Sequence, residues 1–147
     1  RVLFRSFLHP MLANFDAPAR EECAVDRPQS STPQQALTLL NDPSFVEAAH
    51  VFAEKILGAP KRKTDAAGID FAMEAALLRP ANPTERDSLL KFLDTQRTYY
   101  AANTSDAEKL LRVGQYQSAG TTKPAEQAAW TSLARVILNL HESITRY

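Results

Sequence analysis

The stretch Thr32-Pro33-Gln34-Gln35-Ala36-Leu37-Thr38-Leu39-Leu40-Asn41-Asp42-Pro43-Ser44-Phe45-Val46-Glu47 decides the fold class, because it carries the same start signal twice. Thr32 offers a side-chain oxygen to an unpaired helix amide, and Pro33 follows at the first helical position, where a missing N–H removes no bond. Asn41-Asp42-Pro43 repeats the pattern, with Asp42 as the cap. The spacing predicts a short helix over Pro33–Leu40, a tight corner, and a second helix from Pro43 to about Leu57, closed by Gly58 and Pro60. Phe45, Ala48, Ala49, Phe52 and Ile56 recur at helical spacing and are expected to face the core.

Working outward, the same logic holds. The chain has only 4 glycines, and its 9 prolines fall where helices start or stop rather than inside them. A third helix is expected over Asp65–Leu78, with Ile69, Met73, Ala76 and Leu77 inward and Arg79-Pro80 closing it. Asn82-Pro83-Thr84-Glu85 opens a fourth, whose Leu89, Phe92, Leu93, Gln96 and Tyr100 share one face. Ser105 with Glu108 has capping-box spacing and predicts a short fifth helix through Val113. Gly114 to Lys123 is polar and reads as a loop. Pro124 opens a last helix with Trp130, Leu133, Ile137, Leu140 and Ile144 on one side. The expected fold is all-α: an irregular bundle of about six helices, with residues 1–31 as an ordered N-terminal segment and loop and 32–147 as the bundle. No fixed-period repeat points to a solenoid.

Composition narrows the classes of function. The 147 residues suit one domain, with 44% hydrophobic and 23% charged residues in the ordinary globular range. Seventeen basic and seventeen acidic side chains cancel, so no net field draws the chain to nucleic acid or anionic lipid. The second helix of the corner also begins without the Arg, Lys, Asn or Gln that a helix-turn-helix recognition helix presents. No apolar run approaches the roughly 20 residues that span a bilayer. The lone Cys23 permits no internal disulfide, and with His9, His50 and His141 scattered there is no zinc framework. No C-x-x-C-H occurs, so no c-type haem is expected on this chain. The start at Arg1-Val2-Leu3-Phe4 reads as the remainder of something longer.

One segment is unlike generic helical filler. Pro10-Met11-Leu12-Ala13-Asn14-Phe15-Asp16-Ala17-Pro18 is followed by Cys23, by Arg27-Pro28, and then by Thr32-Pro33-Gln34-Gln35-Ala36-Leu37-Thr38-Leu39-Leu40-Asn41-Asp42. The run resembles the C-terminal domain of unknown function 1553, the planctomycete-specific domain, of large planctomycete and verrucomicrobial proteins. Leu78-Arg79-Pro80 with Pro83-Thr84-Glu85, and the stretch from Arg135 to Glu142, are similar to later parts of the same domain. Asp26 and Gln34 depart from its usual pattern. The resemblance implies the C-terminal piece of a larger domain in an exported polypeptide, periplasmic or at the cell surface. Its partners would be the other domains of that polypeptide, one of them a c-type cytochrome domain that carries the haem. It transfers motif positions rather than a mechanism: Asp16, Cys23, Arg27, Thr32, Gln35, Asn41 and Glu142.

Each of these positions has a bland account beside a functional one. Asp16, Glu21, Glu22, Asp26 and Arg27 are either polar anchors of a long loop or an acid/base cluster on it. Cys23 is a buried inert thiol, a nucleophile in want of a base, or half of a bridge to absent sequence. Thr32 caps, and the amides of Gln35 and Asn41 are expected to satisfy orphan backbone groups at the corner. His141-Glu142 lacks the second His of H-E-x-x-H, since Thr145 stands there; Glu142 is expected to pair with Arg27, Arg79 or Arg135. Lys61-Arg62-Lys63 reads as solvated loop, and Trp130 and Tyr99-Tyr100 as core and rim. The leading expectation is a non-catalytic structural or interaction module. The alternative is part of a hydrolase acting on an extracellular polymer, with its site on residues 16–27.

Overall fold

The computed structural model describes residues 10–18, 30, 32–60, 63–116, 118 and 122–144. Eight helices occur among them and no strand: α1 Pro10–Asn14, α2 Pro33–Asn41, α3 Pro43–Leu57, α4 Asp65–Leu77, α5 Pro83–Ala102, α6 Thr104–Leu111, α7 Pro124–Leu138 and α8 His141–Ile144. The all-α class holds, and the number of helices differs from six for two local reasons. Pro10–Asn14 forms one short turn of helix within the expected loop segment. The last expected helix breaks at Asn139, whose amide turns back to Arg135 and Val136 carbonyls, before α8 resumes.

The corner forms as its caps dictate. The Thr32 hydroxyl accepts from the Gln35 amide at 3.3 Å, the Gln35 side chain accepts from the Thr32 amide at 3.3 Å, and Asp42 accepts from the Ser44 amide at 2.9 Å. Gln35 therefore completes a capping box. Asn41 donates to the Leu37 carbonyl at 3.0 Å. At α6 the expected cap is displaced: helix starts at Thr104 after Asn103, and Ser105 lies exposed inside the first turn.

The order of packing is unusual for so small a chain. α7 contacts α2, α3, α4, α5, α6 and α8, and its broadest contact is with α3. From Gln127 through Ala134 every residue is buried, so α7 is not the one-sided helix that its apolar spacing suggests. Ala128, Ala129 and Ala134 are fully buried and keep the surrounding helices close to its axis, while Trp130, Leu133 and Ile137 fill the larger gaps. On α3 the buried stripe is Val46, Ala49, His50, Ala53 and Ile56; Ala48 faces solvent, and the inner face is rotated from the one expected.

Two described non-glycine residues, Asp16 and Leu78, have left-handed backbone. Leu78, just after α4, has φ 58° and ψ 23°, the left-handed conformation usually left to glycine, and its side chain is 89% exposed.

A larger residue on the axis helix has nowhere to go. Ala129→Leu is expected to lower unfolding free energy by about 1–3 kcal/mol through overpacking, measured by urea titration. Leu78→Gly is expected to do the opposite, raising it by about 1 kcal/mol as the left-handed strain is relieved.

Candidate functional site

Three groupings of polar side chains stand out, and only two contain residues that the motif singled out.

The first is the N-terminal strip. Asp16 has φ 54°, and its Oδ2 accepts from both the amide and the hydroxyl of Ser30, each at 2.7 Å. Those two bonds, hydroxyl first, hold its carboxyl below the usual carboxylate range. Gln35 Nε2 donates to the same Ser30 hydroxyl at 3.4 Å, and Asn14 donates to the Thr38 hydroxyl at 3.1 Å. Ser30 thus bridges Asp16 and Gln35, and Gln35 links on to Thr32. Glu21, Glu22, Cys23, Asp26 and Arg27 lie outside the described residues, as do His9 and Lys61-Arg62.

The second grouping surrounds Arg79. Its Nη1 and Nη2 donate to the two Glu85 oxygens at 2.9 Å each, and its Nε and Nη2 donate to Glu142 at 2.9 and 3.1 Å. Of the arginines expected for Glu142, Arg79 meets it, while Arg27 lies outside the described residues. Glu85 Oε2 also accepts from the Asn82 amide at 2.8 Å, completing the N-terminal box of α5. Arg79 first, then that amide, hold the Glu85 carboxyl down to about 2, and the two carboxylates raise the guanidinium in turn. This clamp immediately follows the strained Leu78. Beside it, Met73, Thr84, Ser88, Leu89, Leu140 and Glu85 line a mostly apolar hollow of about 250 Å³.

The third grouping escaped the sequence reading, because its members come from three separate elements. His50 and Glu54 lie one turn apart on α3, Gln127 is on α7, and Tyr116 and Ser118 belong to the α6–α7 connection. Gln127 Nε2 lies 2.7 Å from Glu54 Oε1, 2.9 Å from Ser118 Oγ and 2.7 Å from His50 Nε2. The atom facing a carboxylate must be the amide nitrogen, so His50 Nε2 accepts and the ring proton is assigned to Nδ1. That Nδ1 is buried without a partner among the described residues. Tyr116 donates to Glu54 Oε2 at 2.6 Å, Ser118 donates to Oε1, and the Tyr116 ring meets the His50 ring edge-on at 5.6 Å. The stretch expected to be a polar loop is therefore tied to α3. Glu47 adds a further tie through the Gln115 amide at 2.8 Å. A Cβ on Gly114, at φ 93°, would stand 2.2 Å from Glu47 Oε2, so glycine is required there.

Burial pushes the His50 ring below its ordinary value, with Glu54 and Glu47 opposing. Burial alone would raise the Glu54 carboxyl, but the bonds from Ser118, Tyr116 and Gln127 outweigh it and leave it lowered. Chemically this is a polar tie around a buried imidazole. The imidazole has no exposure, and the Ser118 hydroxyl proton points to Glu54 rather than to His50. A groove of about 650 Å³ along α3 is lined by Pro43, Val51, Phe52, Glu47, Lys55 and Gln115 among others. Among the described residues no group of three or more His, Cys, Asp or Glu side chains is placed to hold a metal ion. His50 is buried in α3 while His141 is exposed at α8, and the two do not converge.

Fold and groupings together define a helical domain tied by internal polar anchors, with no helix among the described residues long and apolar enough to cross a membrane. A family model described as Protein of unknown function (DUF1553) matches residues 1–93, and the chain belongs to that family. The match ends within α5, before the α6–α8 part that covers the core. No curated protein and no solved structure matches the chain significantly.

The His50 tie has a pH signature. The unfolded ring takes its proton near the ordinary value of 6.5, whereas the folded ring resists it. Stability is therefore complete above that value and declines as pH falls below it, until the folded ring is protonated. The lowered Glu54 carboxyl has the same sign in a window beginning near 4.5. Thermal midpoints between pH 7 and 5 are expected to fall for the native chain and to flatten in His50→Gln.

Proposed function

We propose that this chain is a non-catalytic interaction module, the helical end of an exported multidomain polypeptide that also carries a c-type cytochrome domain, and that it docks onto that polypeptide's other domains. The export and the cytochrome rest on the family resemblance. The docking rests on Leu78.

A leucine in left-handed backbone costs on the order of 1–3 kcal/mol, and such strain persists only where the surroundings over-determine it. Here the Arg79 clamp to Glu85 and Glu142 does so from the next residue. Leu78 gains no burial in return, being 89% exposed. A strained turn that projects a large apolar side chain, followed by an arginine bonded to a Glu85 that lines an apolar hollow with Met73 and Leu89, is the geometry of a knob and socket awaiting a partner surface. A tethered domain suits it. Linkage supplies millimolar-range effective concentration, so a small contact suffices where a free partner would need a larger one. Leu37, 59% exposed, and Leu12, 36% exposed, add apolar surface on the α1–α2 side. The hydrolase alternative has less behind it, because Asp16 Oδ2 is committed to Ser30 and residues 19–27 of its loop lie outside the described residues.

Leu78→Asp is expected to leave the chain's own unfolding midpoint unchanged within about 0.5 kcal/mol, being a surface change. The same substitution should weaken co-elution with the separately produced remainder of the polypeptide by about 10-fold or more, as truncating an apolar anchor does. Undiminished association, or none by the native chain, would remove this reading.

A further inference from the structure

We propose that the hollow between α2, α5 and α7 is a binding site for a carboxylate group on a short aliphatic chain, with Arg135 as the anchor. The hollow is about 280 Å³, too small for a large ligand and suited to a side-chain-sized acid.

The charge balance around Arg135 is the main observation. The other described arginines each reach a carboxylate: Arg79 to Glu85 and Glu142, Arg86 to Asp70, Arg97 to Asp65 and Glu126, Arg112 to Glu108. Arg135 reaches none among the described residues. One Nη2 proton goes to the Leu40 carbonyl near the C-terminal end of α2, and Nε is buried without a partner among the described residues. Of the five guanidinium N–H donors one goes to that carbonyl and the buried Nε donor is unmet among the described residues, and a buried donor is costly until it is paired.

The rest of the lining fits the same ligand. No acidic side chain borders the hollow. Gln96 on α5 and Asn41 on α2 reach it from opposite sides, and the Asn41 amide spends one donor on Leu37 and keeps its oxygen and second proton. Phe92 and Val136 supply apolar wall for methylene groups. A carboxylate is favoured over a bulky oxyanion because a guanidinium edge and two flanking amides match a planar two-oxygen acceptor. Asn41, a motif position that capping only half explains, acquires a use here.

Two sources share this chemistry: a free short dicarboxylic acid, or a Glu side chain from another domain of the same polypeptide. The second source rests on the docking function proposed above; the site itself does not, and a negative Leu78→Asp result leaves it standing.

Glutarate is the probe, titrated into the purified chain and followed by backbone amide shifts of Asn41 and Gln96. Saturable binding is expected with a Kd of about 1–10 mM, the range a single ion pair with flanking amides supports. Arg135→Lys keeps the charge but loses the planar fork, and should weaken binding about 10-fold. Gln96→Ala removes one flanking amide and should weaken it about 3-fold without moving the unfolding midpoint. No saturation at about ten times that Kd, or native affinity in both variants, overturns the site. In the whole polypeptide, refusal of glutarate by a chain that accepts it in isolation identifies an internal Glu as the occupant. Equal binding in both identifies a free acid.

Discussion

The burial of α7 on all sides is the constraint on which the other features depend. A helix enclosed by neighbours cannot leave its polar side chains to water, so each must find a partner of fixed position. Gln127 finds Glu54, Ser118 and His50; the Thr131 hydroxyl returns to the Gln127 carbonyl at 2.8 Å; Ser132 meets the Tyr100 hydroxyl at 3.0 Å. Trp130 donates to Glu126 at 2.8 Å, and Arg97 holds Glu126 in turn. Apolar burial alone would allow α7 to rotate or slide among similar neighbours. The polar partners permit one register, which is the specificity that satisfied buried groups confer on a core.

Arginine clamps complete that frame at the helix ends. Arg97 joins Asp65 and Glu126, which lie in the first turns of α4 and α7, where carboxylates also complement the helix dipole. Arg79 joins the start of α5 to α8. Half-buried, solvent-screened ion pairs of this kind stabilise by about 1 kcal/mol each. Their larger effect is geometric: they keep the α4–α5 turn rigid enough to hold a backbone conformation that leucine otherwise avoids.

Much of this was legible from residues. Thr32-Pro33, Asp42-Pro43 and Asn82-Pro83 located three helix starts because a cap is a local contract between a side chain and the next amides. Thr32 and Gln35 did as short-range hydrogen bonding requires, and Glu142 met an arginine already on the short roster. Three features were not legible, each because a distant partner decides it. The inner face of α3 is rotated toward His50, since Gln127 and Glu54 together make that imidazole a core residue. The stretch Gly114 to Lys123 read simply as polar loop, because side chains such as Tyr116 and Ser118 that bond to α3 carry no periodic signal. The full enclosure of α7 was masked by its polar residues, which imitate an outward face in a one-dimensional pattern. Leu78 is a fourth: it was expected as the last residue of its helix, whereas the helix ends at Leu77, and nothing in its identity announced a left-handed backbone.

The place of α7 in chain order bears on how the molecule comes to exist. A ribosome delivers α2 through α6 before the helix that covers all five, so their inner surfaces emerge with nothing to close on. During that interval alanine-rich, weakly hydrophobic inner faces such as Ala49 and Ala53 on α3 are a safer exposure than large aliphatics would be, being less adhesive to other nascent chains. The small residues that let the axis helix pack closely thus also temper the half-made bundle.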